Sequence, residues 1–245
     1  MFKRILKVIG TDAVSMSSSR SQRADGPYKD NAINLIYELL FCDRLDLYHE
    51  KYQGIQGPPW STILDDNPDL EALSRIAEDD TQESRVRMLA FNLLRAANKE
   101  VPQKILLGTI IEMHFPDGLD TLAVFADGSV RYINHTAKLA IVDSTSTVFH
   151  EEIQQVIATS KPIVKAIGPW DKVRLPEPKK ENVRMTFLVS DGLYFGEGPM
   201  DVIQKEKMAA PLINAATSLL VKLVKNTINS GKSHAGDAQN TSPKE

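Results

Sequence analysis

The chain has 245 residues, of which 42% are hydrophobic and 25% are charged. These proportions are typical of a soluble globular protein and exclude a collagen-like, disulfide-rich or wholly disordered chain. The net charge of −3 argues against a nucleic-acid partner, and the single cysteine, Cys42, favours a reducing, cytoplasmic location.

Residues 1–29 read as a basic leader followed by a serine-rich linker. The first 24 residues contain five basic side chains and one acidic side chain, and four apolar residues among the first nine share one helical face. The plainest interpretation is a short docked element and a flexible linker. An organellar transit peptide has the same composition, and a membrane-surface helix over residues 1–9 is a third alternative.

Residues 30–102 are predicted to form an acidic helical region. Asp30 is a residue type that caps helices, and it precedes apolar residues at helical spacing. A second helix is expected at Asn67, which is followed by a proline that fits a first helical turn. A third is expected from Asp80 or Thr81.

The periodicity changes to two from residue 103, which predicts strands. Four strands are expected over 104–115, 119–125, 130–134 and 138–142. A helix from about residue 147, bent or restarted at Pro162, an extended connection over 168–180, a hairpin over 183–195 and a last helix from about Pro211 follow. Residues 103–230 are therefore predicted to form an antiparallel-sheet domain, and the polar residues 231–245 a disordered tail.

This order of elements predicts the α+β class, because a parallel α/β sheet would need strict alternation of strands and helices. An antiparallel sheet with one covered face leaves the other face or an edge available. The order over about residues 103–230 resembles the profilin, roadblock and longin folds. That resemblance implies an interaction or regulatory module. No stretch is long and apolar enough to predict a transmembrane helix.

Two groups of residues are candidates for a site. Glu112 and His114 are two residues apart on a predicted strand, so their side chains share one face, and Asp117 follows in the turn. They could line a pocket between the helical region and the sheet, or they could mark a strand end that emerges into water. The sequence contains no intact catalytic or metal-binding motif, and no cofactor is expected.

The two tryptophans form the second group. Trp60 and Trp170 both follow proline in glycine-led loops. A tryptophan on a stiff loop is a favoured anchor for a protein partner. Equally, each ring could fold back over the core beneath its own loop.

Three segments, 118–134, 167–171 and 190–199, resemble segments of uncharacterised bacterial proteins. The resemblance would span about residues 30–225. It implies no activity, cofactor or substrate.

Two functional hypotheses follow from these observations. The first is a cytoplasmic, non-enzymatic protein that binds another protein or a second copy of itself, through an open sheet face, a sheet edge or the tryptophan loops. The alternative is a small-molecule-binding protein or enzyme with Glu112, His114 and Asp117 in its pocket. The sequence carries no feature that favours an enzyme.

Overall fold

The computed structural model of the protein describes residues 26–52 and 54–236, with side chains described up to residue 226. Residues 1–25 of the leader therefore lie outside the described residues, and the three alternatives for that segment stay predictions. Residues 237–245 of the polar tail lie outside them as well.

The first part of the described chain is helical, as predicted. Its helices are α1 (Asn31–Leu39), α2 (Leu45–Tyr52), α3 (Trp60–Ile63), α4 (Leu70–Glu78) and α5 (Ser84–Ala96). Asp30 caps α1, since its carboxylate accepts a hydrogen bond from the backbone N of Ala32 at 2.8 Å. The sequence predicted this cap.

The predicted starts of the next two main helices are wrong by two to four residues. Asp69, rather than Asn67, caps α4, because its carboxylate accepts a hydrogen bond from the backbone N of Glu71 at 2.9 Å. α5 begins only at Ser84, because the Asp79 carboxylate accepts a hydrogen bond from the backbone N of Thr81 at 3.0 Å. An Asx turn of this kind ends one helix and delays the next.

The described chain contains one six-stranded antiparallel sheet. Its strands are β1 (Leu106–Phe115), β2 (Gly118–Phe125), β3 (Val130–Ile133), β4 (Leu139–Val142), β5 (Asn182–Val189) and β6 (Gly192–Pro199). The spatial order is β4-β3-β2-β1-β5-β6, so the first four strands form the predicted meander and the hairpin joins it beside β1. This register places Glu112 opposite Arg184, and Arg184 opposite Glu197.

Three further helices complete the described part: α6 (His150–Ala166), α7 (Met200–Ile203) and α8 (Ala209–Gly236). α6 continues through Pro162, so the helix does not restart there. Pro162 and Ala158 are both exposed. Water can therefore replace the hydrogen bond that proline cannot donate to the carbonyl one turn earlier.

Helices cover both faces of the sheet. On one face, Ile111 and Leu122 pack in a first core with apolar residues of α6 and α8. On the other face, Ile110 and Phe125 pack in a second core with α1 to α5. The α+β class is confirmed, but the expectation of an open sheet face is wrong, because the strands carry apolar residues at both alternating sets of positions. Only the edges at β4 and β6 end the sheet.

The helical region and the sheet share the second core. Leu89 of α5 and Leu107 of β1 are both fully buried in it. The regions 30–102 and 103–230 therefore meet along a continuous apolar contact. α8 runs to Gly236, so the boundary placed at residue 231 falls inside the helix, because no proline or β-hairpin signal interrupts it there. No helix in the described ranges is long and apolar enough to cross a membrane.

Candidate functional site

An extended segment, residues 168–180, links α6 to β5 and lies against β5, β6 and the end of α1. We call it the strap. The backbone N of Trp170 donates a hydrogen bond to the carbonyl of Leu193 at 2.7 Å, which forms an isolated bridge to β6. The Trp170 ring meets Phe195 edge to face with ring centroids 4.9 Å apart. Its Nε1 donates to the carbonyl of Val173 at 3.0 Å.

Arg184 fixes the middle of the strap to the sheet. This side chain is almost fully buried, and its Nη1 donates hydrogen bonds to the carbonyls of Leu175 at 3.2 Å and Pro176 at 2.5 Å. Its Nε and Nη2 both donate to Oε2 of Glu197, at 2.9 and 2.7 Å. One guanidinium thus joins β5, β6 and two strap carbonyls, as the fixed fork of arginine donors allows.

Arg174 fixes the strap to the helical region. Its Nε donates to Oδ2 of Asp43 at 2.6 Å, and its Nη2 donates to Oε2 of Glu38. The guanidinium also lies 3.9 Å from the ring centre of Phe41, a close cation–π contact. Burial opposes the charge, but the carboxylates of Asp43 and Glu38 raise the pKa of Arg174 above its usual value. Arg174 is therefore a cation at neutral pH.

Glu112 lies beneath this arrangement, between the helical region and the sheet. It is 0% exposed, and its Oε1 accepts a hydrogen bond from the hydroxyl of Tyr37 at 2.6 Å. Its Oε2 has no hydrogen-bond partner and lies 3.9 Å from Nη1 of Arg184, too far for a hydrogen bond. A buried carboxylate with one unsatisfied oxygen is costly in its charged form.

The electrostatics of the site follow from this burial. Desolvation raises the pKa of Glu112 to about 7, although the Tyr37 hydroxyl and Arg184 favour the carboxylate. Burial and the neighbouring Glu112 raise the pKa of Tyr37 well above its usual value, so the phenol stays neutral and donates. Burial also acts on Glu197, but hydrogen bonds from Asn182 and Arg184 lower its pKa. Of the two carboxyls, Glu112 and Glu197, it is therefore Glu112 that changes charge near neutral pH.

A shallow cleft lies between the strap and the sheet. Its volume is only about 10 Å³, and its lining residues are Trp170, Arg174, Leu175, Arg184, Thr186, Leu193 and Phe195. Ligand pockets usually have about 300–1,000 Å³. The two arginines at its wall are already paired with carboxylates. The cleft is therefore smaller than a usual site for a small molecule, and its charges are already matched.

The structure separates the three residues predicted to line a pocket. Glu112 does lie between the helical region and the sheet, but it is sealed under Tyr37 and does not emerge into water. His114 is half-buried, and its Nδ1 lies 2.6 Å from the carbonyl of Pro178 in the strap. Asp117 is exposed in the turn between β1 and β2. None of the three is among the residues that line the cleft.

The two tryptophans differ in their surroundings. Trp60 is half-buried at the start of α3 and stacks on Tyr52, with ring centroids 3.7 Å apart. It packs against the second core, which is the fold-back arrangement. Trp170 is also half-buried, but it lies on the strap beside Val173, which is 88% exposed. The structure thus places Trp170 next to exposed apolar surface.

Sequence reasoning missed the two arginines that hold the strap. Arg184 is the one charged residue of β5, a mostly apolar strand, and this was a usable signal of a buried ion pair. Its partners could not be named, because Glu112 and Glu197 meet it only through strand register. Arg174 gave no signal, since a single cation in a proline-rich connection is ordinarily solvated.

A second buried polar cluster ties β2 to the turn after β3. Asp120 accepts hydrogen bonds from the backbone N of His135 at 2.7 Å and from the Tyr132 hydroxyl at 2.9 Å, and Nδ1 of His135 lies 3.0 Å from the same carboxylate. Both carboxylate oxygens are thus engaged in holding the turn. Among the described residues, no group of three or more His, Cys, Asp or Glu side chains could hold a metal ion.

Cys42 is not a reactive thiol. It is fully buried, and burial raises its pKa to about 12. A thiol needs a lowered pKa and an exposed position to act as a nucleophile. Cys42 is therefore a small buried apolar residue of the second core.

The chain was compared with protein-family models, curated proteins and solved structures, and none of the three comparisons finds a match. The site must therefore be interpreted from its own geometry.

Proposed function

We propose that the protein is a cytoplasmic protein-interaction module and that the strap is its recognition segment. The observation that carries this proposal is the exposure of Val173, at 88%, and Leu175, at 39%, on a segment held in place by two arginines, Arg184 being buried and Arg174 half-buried. Rigid presentation of apolar side chains lowers the entropy lost on binding. A loop that merely connected α6 to β5 would not need anchors on both the helices and the sheet.

Two further features support this proposal. Trp170 stands at the amino end of the strap with its ring against Phe195, so a large aromatic side chain adjoins the exposed apolar pair. β6 is the last strand on its side of the sheet. Apart from its pairing with β5, its one β-bridge among the described residues joins Leu193 to Trp170. An edge strand beside an apolar segment is a common place for a partner strand or peptide to bind.

The test is site-specific photo-crosslinking in the cells from which the protein comes. A benzoylphenylalanine is placed at position 173, and in a matched control at position 148. Val148 is 53% exposed and adjoins the opposite end of α6, a helix of 17 residues that spans about 25 Å. We expect an adduct with one recurring protein, or with a second copy of this chain, from position 173 alone.

A binding measurement with the purified partner completes the test. Val173→Asp should weaken the affinity by at least about tenfold, because it puts a charge into an apolar contact, and Val148→Asp should leave the affinity unchanged. Absence of any adduct at position 173, or equal adducts from both positions, would overturn the proposal.

A further inference from the structure

Arg184 stands between two competing sets of acceptors. Its Nη1 donates to the strap carbonyls of Leu175 and Pro176, and the same nitrogen is 3.9 Å from the unpartnered Oε2 of Glu112. A shift of about 1 Å would bring it within hydrogen-bond distance of that oxygen. The shift would lengthen its bonds to the strap. The strap and Glu112 therefore compete for one donor.

The charge of Glu112 decides this competition. A neutral carboxyl attracts a guanidinium only weakly, so Arg184 stays on the strap carbonyls. An ionised, buried carboxylate gains most from an ion pair or from water. Both of these responses loosen the strap, since one withdraws Arg184 from it and the other admits water beneath it.

We infer that Glu112 is a proton-operated latch that holds the strap closed when it is protonated and releases it when it ionises. This inference rests on the proposed function in one respect: it takes the strap to be the recognition segment and describes how its binding would be regulated. The partner would then meet a rigid strap on the acid side of neutrality and a loosened one on the alkaline side. The raised pKa of Glu112, about 7, places the change near neutral pH.

Other titratable and charged groups face Glu112 from every element around it. They are Tyr37 from α1, Tyr28 from the segment before α1, Arg184 from β5, Glu197 from β6, Arg174 from the strap and His114 from the same strand. Burial keeps both phenols neutral by raising their pKa values, and the pKa of Glu197 is lowered. His114 is the group that the experiment must separate from Glu112, because its ring touches the strap at Pro178.

The experiment uses Trp170 as a reporter of the strap. The full chain with Trp60→Phe retains Trp170 as its one tryptophan, and acrylamide quenching of its fluorescence is measured from about pH 5.5 to about pH 8.5. We expect the quenching constant to rise at least about twofold, as for a shift between two populated states, with a midpoint near pH 7. Glu112→Gln should hold the low value throughout, and His114→Gln should keep the rise.

A second measurement covers the case in which Trp60→Phe does not fold. Hydrogen exchange of the peptide 168–180 is followed in the otherwise unchanged chain, with the peptide 150–166 as an internal control. We expect faster exchange of the strap at alkaline pH, after correction for the intrinsic rate, and no such change in the helix or in Glu112→Gln.

The inference is overturned if the strap is equally accessible to acrylamide and to hydrogen exchange at the acid and the alkaline ends of the pH range. It is also overturned if the response survives Glu112→Gln, or if it disappears in His114→Gln and so belongs to the imidazole. These readouts need no partner, so they are independent of crosslinking at position 173. A strap that responds to pH without forming adducts would contradict the proposed function alone.

Discussion

Glu112 illustrates how a single buried residue can set the pH dependence of stability. Its pKa is about 7 in the folded protein, above its usual 4.5, so the folded state holds a proton that the unfolded state has released. The contribution of Glu112 to stability is therefore fully present below about pH 4.5 and is lost as the pH rises to about 7. We expect Glu112→Gln to remove this pH dependence. At pH 8, its free energy of unfolding should exceed that of the unmodified chain by up to about 3 kcal/mol. Denaturant unfolding of both proteins at pH 5 and pH 8 measures this difference in the free energy of unfolding.

Glu152→Gln is the matched control for this prediction. Burial raises the pKa of Glu152, but the hydrogen bond from Nζ of Lys222, at 2.8 Å, and the charge of that lysine bring the net pKa below its usual value. Its contribution is therefore present at neutral pH and is lost as the pH falls, the opposite sign to Glu112. If Glu112→Gln and the unmodified chain lose stability in parallel between pH 5 and pH 8, Glu112 is not protonated in the folded state.

At the scale of the elements, the two tryptophan segments are expected to differ in their contribution to folding. Trp60 begins α3 and stacks on Tyr52 over the second core, so Trp60→Ala should lower the free energy of unfolding by about 2–4 kcal/mol. Trp170 lies on the strap with one aromatic neighbour, and Trp170→Ala should cost only about 1 kcal/mol. Thermal and denaturant unfolding of both variants give the comparison.

Trp60→Phe serves as the conservative control, because it keeps an aromatic ring for the stack with Tyr52 and should recover most of the loss. A loss of several kcal/mol from Trp170→Ala would contradict a recognition role for that residue. A residue that anchors a partner should contribute little to the folding of its own chain.

The elements also show how far the sequence could be interpreted. Local signals were sufficient where structure is local: the cap at Asp30, the hairpin over residues 183–195 and the change of periodicity at residue 103 are all correct. The surroundings of Glu112 were not predictable, because a polar residue in alternation with apolar ones normally faces water. Its burial depends on Tyr37 and Arg184, which meet it only through tertiary packing and strand register. The strap anchors escaped prediction for the same reason.

At the scale of the whole molecule, the sheet is the middle layer between two sets of helices. Each face contributes to a different core, and the second core combines the sheet with helices from the first part of the chain. The helical region and the sheet domain are therefore separate in sequence, but they share one hydrophobic core in the folded protein. Arg174 adds a polar link between the two, since it binds Asp43 and Glu38 from the strap.

This arrangement predicts that the sheet domain does not fold without the helical region. In a chain of residues 103–230, the second-core face of the sheet, with Leu107, Ile110 and Phe125, would be exposed to water. Such a surface is too apolar for a folded monomer. We expect this fragment to bind a hydrophobic dye and to unfold without a cooperative transition, whereas residues 26–236 should unfold cooperatively. Co-expression with residues 26–102 should restore the transition, and a cooperative transition in residues 103–230 alone would show that the sheet needs only α6 and α8.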